Sequence, residues 1–375
     1  MSAYTSVMSD VLIHSRYRAV ADELHRQLDA DPTYSAQLSV WVRGEQVLDL
    51  CGGPDLGDDS LVCLFSVSKG ITGICVARLI ESGHLDPGAA VRRYWPEFAA
   101  AGKAHVTVRQ LLSHQAGLPE VDGGLTPEEY WDDRLAAPRL AAQRPAWAPG
   151  LAFGYHAITI GILANELFRR ILGASVAEYF ESEVRAPREL EVYLGLPEHL
   201  ERRVAPVRFP EFPAPGTGDA GGLADVIARP LLGASGFEAI ANTRAGHASG
   251  MPAAGAVGSA RGIAALYAAV LADVGGPRLF SEQTLGVVGQ VQASGVDIAS
   301  GEPGRYGILF QKPAPFRPFA GYRAIGHDGA AGSLGFADPE FDIAFGFTGN
   351  RPAPAGGERR ADALAALVRG IAGSS

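Results

Sequence analysis

The segment FSVSKG, residues 65–70, places two serines beside a lysine at the start of an apolar run. If a helix begins at Ser66, Lys69 lies about one turn further on and on the same face, whereas Ser68 points elsewhere. A helix start also offers unpaired backbone N–H groups and a partial positive charge, which favour negative charge on Ser66 or on an attached acyl oxygen. The spacing predicts that Ser66 is a nucleophile and that Lys69 activates it.

A serine hydroxyl is a poor nucleophile until a base takes its proton, and a lysine can serve once burial lowers its pKa toward neutrality. The alternative is that Ser66 only caps a helix and that Lys69 is solvated. The chain has just three lysines, Lys69, Lys103 and Lys312, so a chance S-x-x-K is uncommon. The residues that follow are too apolar for a surface helix, and their two glycines indicate close packing. These features favour the catalytic interpretation.

Other catalytic signatures are missing from the sequence. No serine lies in a G-x-S-x-G elbow, and AGSLG at 331–335 comes nearest, with alanine in place of the first glycine. There is no H-E-x-x-H, C-x-x-C or P-loop, and the nine histidines are scattered. We therefore expect no metal and no cofactor.

Length and composition restrict the class of protein. At 375 residues the chain is long enough for two domains, or for one domain with a large insertion. Apolar residues make up 47% and charged residues 19%, which is ample for a buried core. The net charge of -9 and the absence of a Lys/Arg cluster argue against binding to nucleic acid.

The N-terminal residues show neither a basic region followed by an apolar core nor a small-residue cleavage site. The sequence has no 18-residue apolar run, so we expect no membrane span. Cys51, Cys63 and Cys75 are then expected to be reduced thiols packed as small apolar groups. Together these features predict a cytoplasmic protein.

The hydrophobic pattern predicts the elements that position Ser66. Residues 14–30 have helical spacing, and 38–53 alternate about Arg43-Gly44-Glu45 as two antiparallel strands would. The run that follows Ser66 predicts a helix that ends at Gly83.

Residues 85–255 predict helical segments with Pro/Gly-rich connections, of which 158–173 and 175–187 are the clearest helices. Residues 204–236 are rich in Pro and Gly and are typical of a binding-site wall. The last third alternates as strands, beginning with YGILFQ at 306–311, and ends in an amphipathic helix.

The order of these elements predicts an α/β (α+β) fold. Strands at both ends of the chain would form one antiparallel sheet flanked by helices, from residues 1–85 and 295–375. Residues 86–294 would form an inserted, mainly helical domain with Pro/Gly-rich pocket loops.

Five ordered blocks carry a resemblance to a known family. They are SVSK at 66–69, VTVRQLLSHQAGLP at 106–119, WAPGLAFGYHAITIGILANELFRRILG at 147–173, PAAGAVGSARGIAAL at 252–266 and GHDGAAGSLGFADP at 326–339. From about residue 35 to 350 the chain resembles the serine β-lactamase and penicillin-binding-protein superfamily. Within it, the chain is most similar to the class C β-lactamase-like esterases, called family VIII carboxylesterases.

The resemblance implies that Ser66 is the nucleophile, Lys69 its activating neighbour, and Tyr155 a tyrosine that shuttles protons. A phenol with an ordinary pKa near 10 is a weak base at neutral pH. A cationic Lys69 would stabilise the phenolate, so we expect Tyr155 and Lys69 to act as one coupled base.

The third motif of the family, usually K-T-G, is His327-Asp328-Gly329 here. Gly329 would let the backbone approach the substrate closely. The N–H of Ala330 would then join the N–H of Ser66 in an oxyanion hole.

Two departures from the family pattern bear on the substrate. Where β-lactamases carry Tyr-x-Asn, this chain has Tyr155-His156-Ala157, which lacks the amide that would hold a β-lactam side chain. His327 replaces the lysine that meets the antibiotic carboxylate, and a neutral imidazole is a weaker anchor at pH 7. Both departures favour uncharged substrates.

The sequence thus predicts a serine carboxylesterase that hydrolyses short-chain or small carboxylic esters through an acyl-enzyme on Ser66, with Lys69 and Tyr155 as general base. The alternatives are a β-lactamase or D-amino-acid peptidase, an acyltransferase of the same fold, or a catalytically idle binding module. The expected partner is a small-molecule ester, with no nucleic acid and no membrane. The sequence carries no sign of the oligomeric state.

Overall fold

The computed structural model describes residues 8–209, 234–352 and 359–374. Most of segment 204–236, the predicted pocket wall, therefore lies outside the described residues. The strands are β1 (Met8–Ile13), β2 (Ala36–Val42), β3 (Glu45–Gly52), β4 (Val62–Phe65), β5 (Val192–Leu194), β6 (Ala256–Gly258), β7 (Ala293–Val296), β8 (Pro303–Tyr306), β9 (Ile325–Asp328), β10 (Leu334–Asp338) and β11 (Ile343–Gly349). The helices are α1 (Arg18–Ala30), α2 (Val67–Glu81), α3 (Val108–Leu111), α4 (Pro127–Trp131), α5 (Asp133–Ala142), α6 (Thr159–Leu172), α7 (Val176–Phe180), α8 (Ala234–Asn242), α9 (Arg244–Ala248), α10 (Ala260–Leu271), α11 (Glu282–Gly289) and α12 (Arg360–Ala372).

Strands from both ends of the chain form one six-stranded antiparallel sheet, in the order β1-β3-β2-β11-β10-β9. Val40 on β2 pairs with Phe345 on β11, so N-terminal and C-terminal strands meet in the middle of the sheet. The β2–β3 turn places Arg43 at φ 54° and Gly44 at φ 79°, as a two-residue hairpin loop requires. The predicted sheet built from both termini is confirmed.

Helices cover both faces of this sheet. Alternate residues of β11 point to opposite faces of the sheet. Ala344 lies on the face that α10 covers, whereas Phe345 lies on the face that α1 and α12 cover. A Cβ at Gly346 would lie only 2.2 Å from the carbonyl oxygen of Ala260, which shows how closely α10 approaches the strand. Helix α10, which falls within the predicted insertion 86–294, thus packs on this sheet. The domain boundaries stay a prediction.

Helix α2 lies in the interior, as its composition predicts. It is apolar on all sides and its residues from Val67 to Ala77 are all buried. A Cβ at Gly70 would lie 2.2 Å from the Tyr267 hydroxyl, and one at Gly73 would lie 2.7 Å from the Phe310 ring. The two glycines therefore allow neighbouring aromatic side chains to contact the helix backbone.

Several short elements differ from the sequence predictions. β1, β5 and β6 are strands that the hydrophobic pattern did not predict. In YGILFQ only Tyr306 is a strand residue, because the chain turns at Leu309, which has φ 62° and donates its N–H to the carbonyl of Leu112 at 2.7 Å. The segment 175–187 is helical from Val176 onward, with Ser175 as its N-cap, and α7 continues as a wider π-type turn after Phe180 and a 3₁₀ turn from Ala186. In the described ranges, no helix has the length and apolar character needed to cross a membrane.

Candidate active site

Ser66 lies at the junction of β4 and α2. Phe65, the last residue of β4, has φ 47°, an uncommon conformation for a residue with a side chain, and it turns the chain so that α2 starts directly after Ser66. Ser66 is half-buried, whereas Ser68 is completely buried. The Ser68 hydroxyl donates to the carbonyl of Phe65 at 2.5 Å and accepts the N–H of Ala256 at 2.9 Å. Ser68 therefore holds the turn, and Ser66 faces the cavity.

Lys69 is fully buried, and its Nζ atom lies 3.0 Å from Oγ of Ser66. The amine also donates to the carbonyl oxygens of Ala157 at 2.8 Å and Ala253 at 2.9 Å. Burial lowers the pKa of Lys69 to about 7, and the more distant carboxylate of Asp328 opposes this shift. The amine can therefore take the Ser66 proton near neutral pH.

Tyr155 completes a triangle of hydrogen bonds, because its hydroxyl donates to Oγ of Ser66 at 2.9 Å. Its ring lies 4.8 Å from Nζ of Lys69. Burial raises the pKa of Tyr155 well above 10, and the neighbouring Tyr306 raises it further. We expected Lys69 to lower the pKa of Tyr155 and so to favour the phenolate. That direction was wrong, because burial of the phenol dominates and raises its pKa. Tyr155 is therefore a neutral phenol that donates to Ser66. Lys69, whose pKa is about 7, is the group beside it that can act as a base.

The position of Tyr155 is fixed by groups that the sequence did not single out. Asp297, which is 1% exposed, accepts the backbone N–H of Tyr155 at 2.8 Å and the N–H groups of Ala299 and Ser300 at 2.8 and 3.1 Å. The ring of Tyr155 packs against Tyr306, with ring centres 5.9 Å apart. A carboxylate with three backbone donors thus ties the tyrosine to the loop after β7.

Two buried histidines lie behind Tyr155. The ring centre of His114 is 4.9 Å from that of Tyr155, and its Nδ1 accepts the N–H of His156 at 3.0 Å. His156 accepts the N–H of Leu118 at 2.9 Å and donates to the carbonyl of Gly154 at 2.6 Å. Burial lowers the pKa of His156 to about 4 and that of His114 well below its usual value. Both rings are therefore neutral supports.

The third motif lies on β9 opposite the start of α2. Asp328 forms ion pairs with Arg317 and, at 2.9 Å, with Arg359. Burial is the largest single influence on the pKa of the Asp328 carboxyl, and it raises that pKa. Arg317 and His327 together outweigh burial and hold the pKa far below its usual range. His327 is 1% exposed, and burial lowers its pKa, so the ring is neutral at pH 7. Arg317 was not predicted as part of the site.

Gly329 and Ala330 bring the backbone after β9 close to the nucleophile. A Cβ at Gly329 would lie 2.2 Å from the carbonyl oxygen of Leu64, so only glycine fits against β4 here. Ala330 is exposed and lines the same cavity as Ser66. Its N–H has no acceptor within the described ranges, and it is therefore free to bind an oxyanion.

These groups surround one cavity of about 300 Å³. The wall of the cavity contains the reactive groups and four apolar residues, Phe65, Ile158, Phe237 and Pro303. The ring centres of Phe65 and Phe237 are 5.6 Å apart. The cavity volume and apolar wall suit a small acyl or alkyl group. In the described part of the chain, no three His, Cys, Asp or Glu side chains converge as metal ligands would.

The chain has relatives among known proteins. The beta-lactamase family model matches residues 21–369. The chain belongs to the beta-lactamase family. Among its relatives in this family, the esterase/beta-lactamase LipL of Mycobacterium tuberculosis is 31% identical over 347 residues, which cover 84% of this chain and 76% of LipL.

Two solved structures extend the comparison within the beta-lactamase family. EstA from Arthrobacter nitroguajacolicus Rue61a superimposes with a TM-score of 0.93 at 42% identity, covering 98% of this chain and 99% of EstA. A family VIII carboxylesterase superimposes with a TM-score of 0.87 at 31% identity, covering 97% of this chain and all of the other. The β-lactamase-like fold expected from the sequence is confirmed, and the protein is a serine hydrolase.

Proposed function

We propose that this protein is a carboxylesterase that hydrolyses small uncharged esters through an acyl-enzyme on Ser66. The observation that carries the proposal is the hydrogen-bonded triangle in which Oγ of Ser66 lies 3.0 Å from Nζ of Lys69 and 2.9 Å from the Tyr155 hydroxyl. The esterase relatives in the same family support the choice of substrate class.

In the acylation step, Oγ of Ser66 attacks the ester carbonyl carbon while Lys69 takes its proton and Tyr155 remains a neutral phenol. The amine is the group of this pair whose base form is present at neutral pH, since burial lowers its pKa to about 7. The hydroxyl of Tyr155 then gives a proton to the departing alcohol and is reprotonated by Lys69. The pair returns to its starting state, and the acyl group stays on Ser66.

The negative charge that develops on the carbonyl oxygen needs donors. The N–H of Ser66, at the start of α2, and the N–H of Ala330 would provide them. One such donor is typically worth about 3 kcal/mol of transition-state stabilisation. Water then attacks the acyl-enzyme through a second oxyanion, and the carboxylic acid leaves.

The wall of the cavity supports an uncharged substrate. Ala157 lines the cavity at the position where β-lactamases carry an amide, and the His156 side chain is fully buried. His327 is neutral at pH 7 and offers no positive charge to a carboxylate. Ester hydrolysis requires neither of these anchors.

Hydrolysis of β-lactams is the second candidate, and a specific feature favours it. Arg317 and Arg359 line the cavity, and the Arg359 side chain is 55% exposed. Both guanidinium groups are paired with Asp328, which reduces their attraction for a substrate carboxylate.

A panel of p-nitrophenyl esters of increasing acyl length, assayed beside a chromogenic cephalosporin, separates the two candidates. We expect the shortest esters to give the highest kcat/KM and the cephalosporin to give little turnover. Faster turnover of the cephalosporin than of every ester would contradict the proposal. Ser66→Ala measures the background for both substrates.

A further inference from the structure

The ring nitrogen Nε2 of His327 has no hydrogen-bond partner among the described residues, although the side chain is 1% exposed. Buried polar atoms are nearly always paired, so an unpaired one in a cavity wall points to a partner that arrives with water or substrate. His327 lines the same cavity as Ser66 and Tyr155, and its ring centre lies 6.1 Å from that of Tyr155. His327 is therefore part of the cavity wall beside Tyr155, with one ring nitrogen that the described residues leave unpaired.

The other ring nitrogen fixes the tautomer. Nδ1 of His327 lies 2.8 Å from the backbone carbonyl oxygen of Asp328, and a carbonyl oxygen can only accept a hydrogen bond. Nδ1 must therefore carry the proton, which leaves a lone pair on Nε2 in the neutral ring. The Asp328 carboxylate, 3.5 Å from Nδ1, favours the same tautomer. Nε2 is thus a proton acceptor.

The burial of the ring and the charged groups around His327 determine whether Nε2 carries a proton. Burial lowers the pKa of His327, Lys69 on α2 lowers it further, and Asp328 opposes both. Arg317 and Arg359 partly neutralise Asp328. Together with the burial of the ring, this arrangement keeps Nε2 unprotonated at neutral pH.

Acylation does not need His327. Oγ of Ser66 already has the Lys69 amine at 3.0 Å to take its proton and the Tyr155 hydroxyl at 2.9 Å as a hydrogen-bond donor. Deacylation has a different requirement, because a water molecule must lose a proton while Oγ is covalently bound to the acyl group. An additional base in the cavity wall meets this requirement.

We propose that Nε2 of His327 is the general base that activates the hydrolytic water in deacylation. This inference rests on the proposed acyl-enzyme at Ser66. The water gives one proton to Nε2 while its oxygen bonds to the acyl carbon. The C–Oγ bond then breaks, and Oγ takes a proton from the Tyr155–Lys69 pair. The proton on Nε2 returns to that pair, the carboxylic acid leaves, and no other reactant is consumed.

Two substitutions test the assignment. His327→Asn keeps a donor near the Asp328 carbonyl and removes Nε2, whereas His327→Gln keeps a polar group near Nε2 that cannot take a proton. With p-nitrophenyl acetate, both variants should release about one equivalent of p-nitrophenol per enzyme in a burst and then turn over about 100-fold or more slowly. Since acylation is intact, kcat and KM should fall together and kcat/KM should be unchanged.

Intact-mass measurement during turnover provides the second readout. We expect an acetyl group to accumulate on Ser66 in both variants but not in His199→Gln, which changes an exposed histidine. Loss of kcat/KM without an accumulating adduct, or unchanged turnover, would overturn the inference while leaving an acylated Ser66 intact. If even a phosphonate ester fails to modify Ser66 of the unsubstituted protein, the proposed function itself fails.

Discussion

The Nζ atom of Lys69 lies 3.0 Å from Oγ of Ser66, and its two other partners are the backbone carbonyl oxygens of Ala157 and Ala253. All three partners are neutral, so no carboxylate among the described residues pairs directly with the buried amine. Burying a charge without such a partner is costly, and the amine responds by losing its proton more easily. Its pKa of about 7 follows from this environment.

The first prediction concerns pH. Lys69 must be neutral to take the Ser66 proton, so its working form is lost as pH falls through its pKa. We expect kcat/KM for an uncharged ester to fall below an apparent pKa of about 7, with a tenfold loss per pH unit. A profile that stays flat down to about pH 5 would contradict this role. Circular dichroism at each pH separates loss of activity from unfolding.

Tyr155→Phe removes the hydroxyl that donates to Ser66 at 2.9 Å and keeps the ring that packs on Tyr306. We expect kcat to fall by about 100-fold to 10,000-fold, because protonation of the departing alcohol loses its donor. Thermal unfolding should change little. Tyr322→Phe, at a side chain that is 64% exposed, is the matched control and should keep full activity. Equal activity of the two variants would remove Tyr155 from the mechanism.

Asp297→Asn tests whether the carboxylate positions Tyr155. The carboxylate accepts three backbone N–H groups, and an amide would turn an NH₂ group toward at least one of these donors. We expect the free energy of unfolding to fall by about 2 kcal/mol and kcat to fall with little change in KM. Urea unfolding and steady-state kinetics measure the two effects. Destabilisation without a change in kcat would show that Asp297 supports only the fold.

Gly329→Ala tests the close approach of β9 to β4. The added Cβ would lie 2.2 Å from the Leu64 carbonyl oxygen, so the backbone must shift and displace the Ala330 N–H. We expect kcat to fall by up to about 100-fold, the size of effect seen when one oxyanion donor is lost. Gly286→Ala, where a Cβ meets nothing within 4 Å, should be silent. Retention of activity in Gly329→Ala would argue against an oxyanion hole at Ala330.

The features that the sequence could predict depend on local pattern. The hairpin about Arg43-Gly44, the buried helix after Ser66 and the one-turn spacing to Lys69 follow from periodicity, turn chemistry and the geometry of a helix. Alternation also predicted the antiparallel strands near the C-terminus. Their pairing with N-terminal strands followed from the order of elements, since strands at both ends of the chain with helices between them fit one shared sheet.

The features that the sequence could not predict depend on distant contacts. Asp297 accepts the N–H of Tyr155 across 142 residues, and no spacing rule connects them. The pKa direction for Tyr155 was wrong because the sequence shows that a lysine can be close but not how deeply the phenol is buried. The strand predicted at 306–311 is a turn, because the N–H of Leu309 donates to the carbonyl of Leu112, which lies at the end of α3.

The central claim is that Ser66 forms the covalent intermediate, and labelling with an activated phosphonate ester tests it most directly. Peptide mass spectrometry should place one adduct on Ser66, with loss of esterase activity in proportion to labelling. Ser66→Ala should take up no label and show no turnover above background. An adduct on another residue, or full esterase activity in Ser66→Ala, would contradict the account.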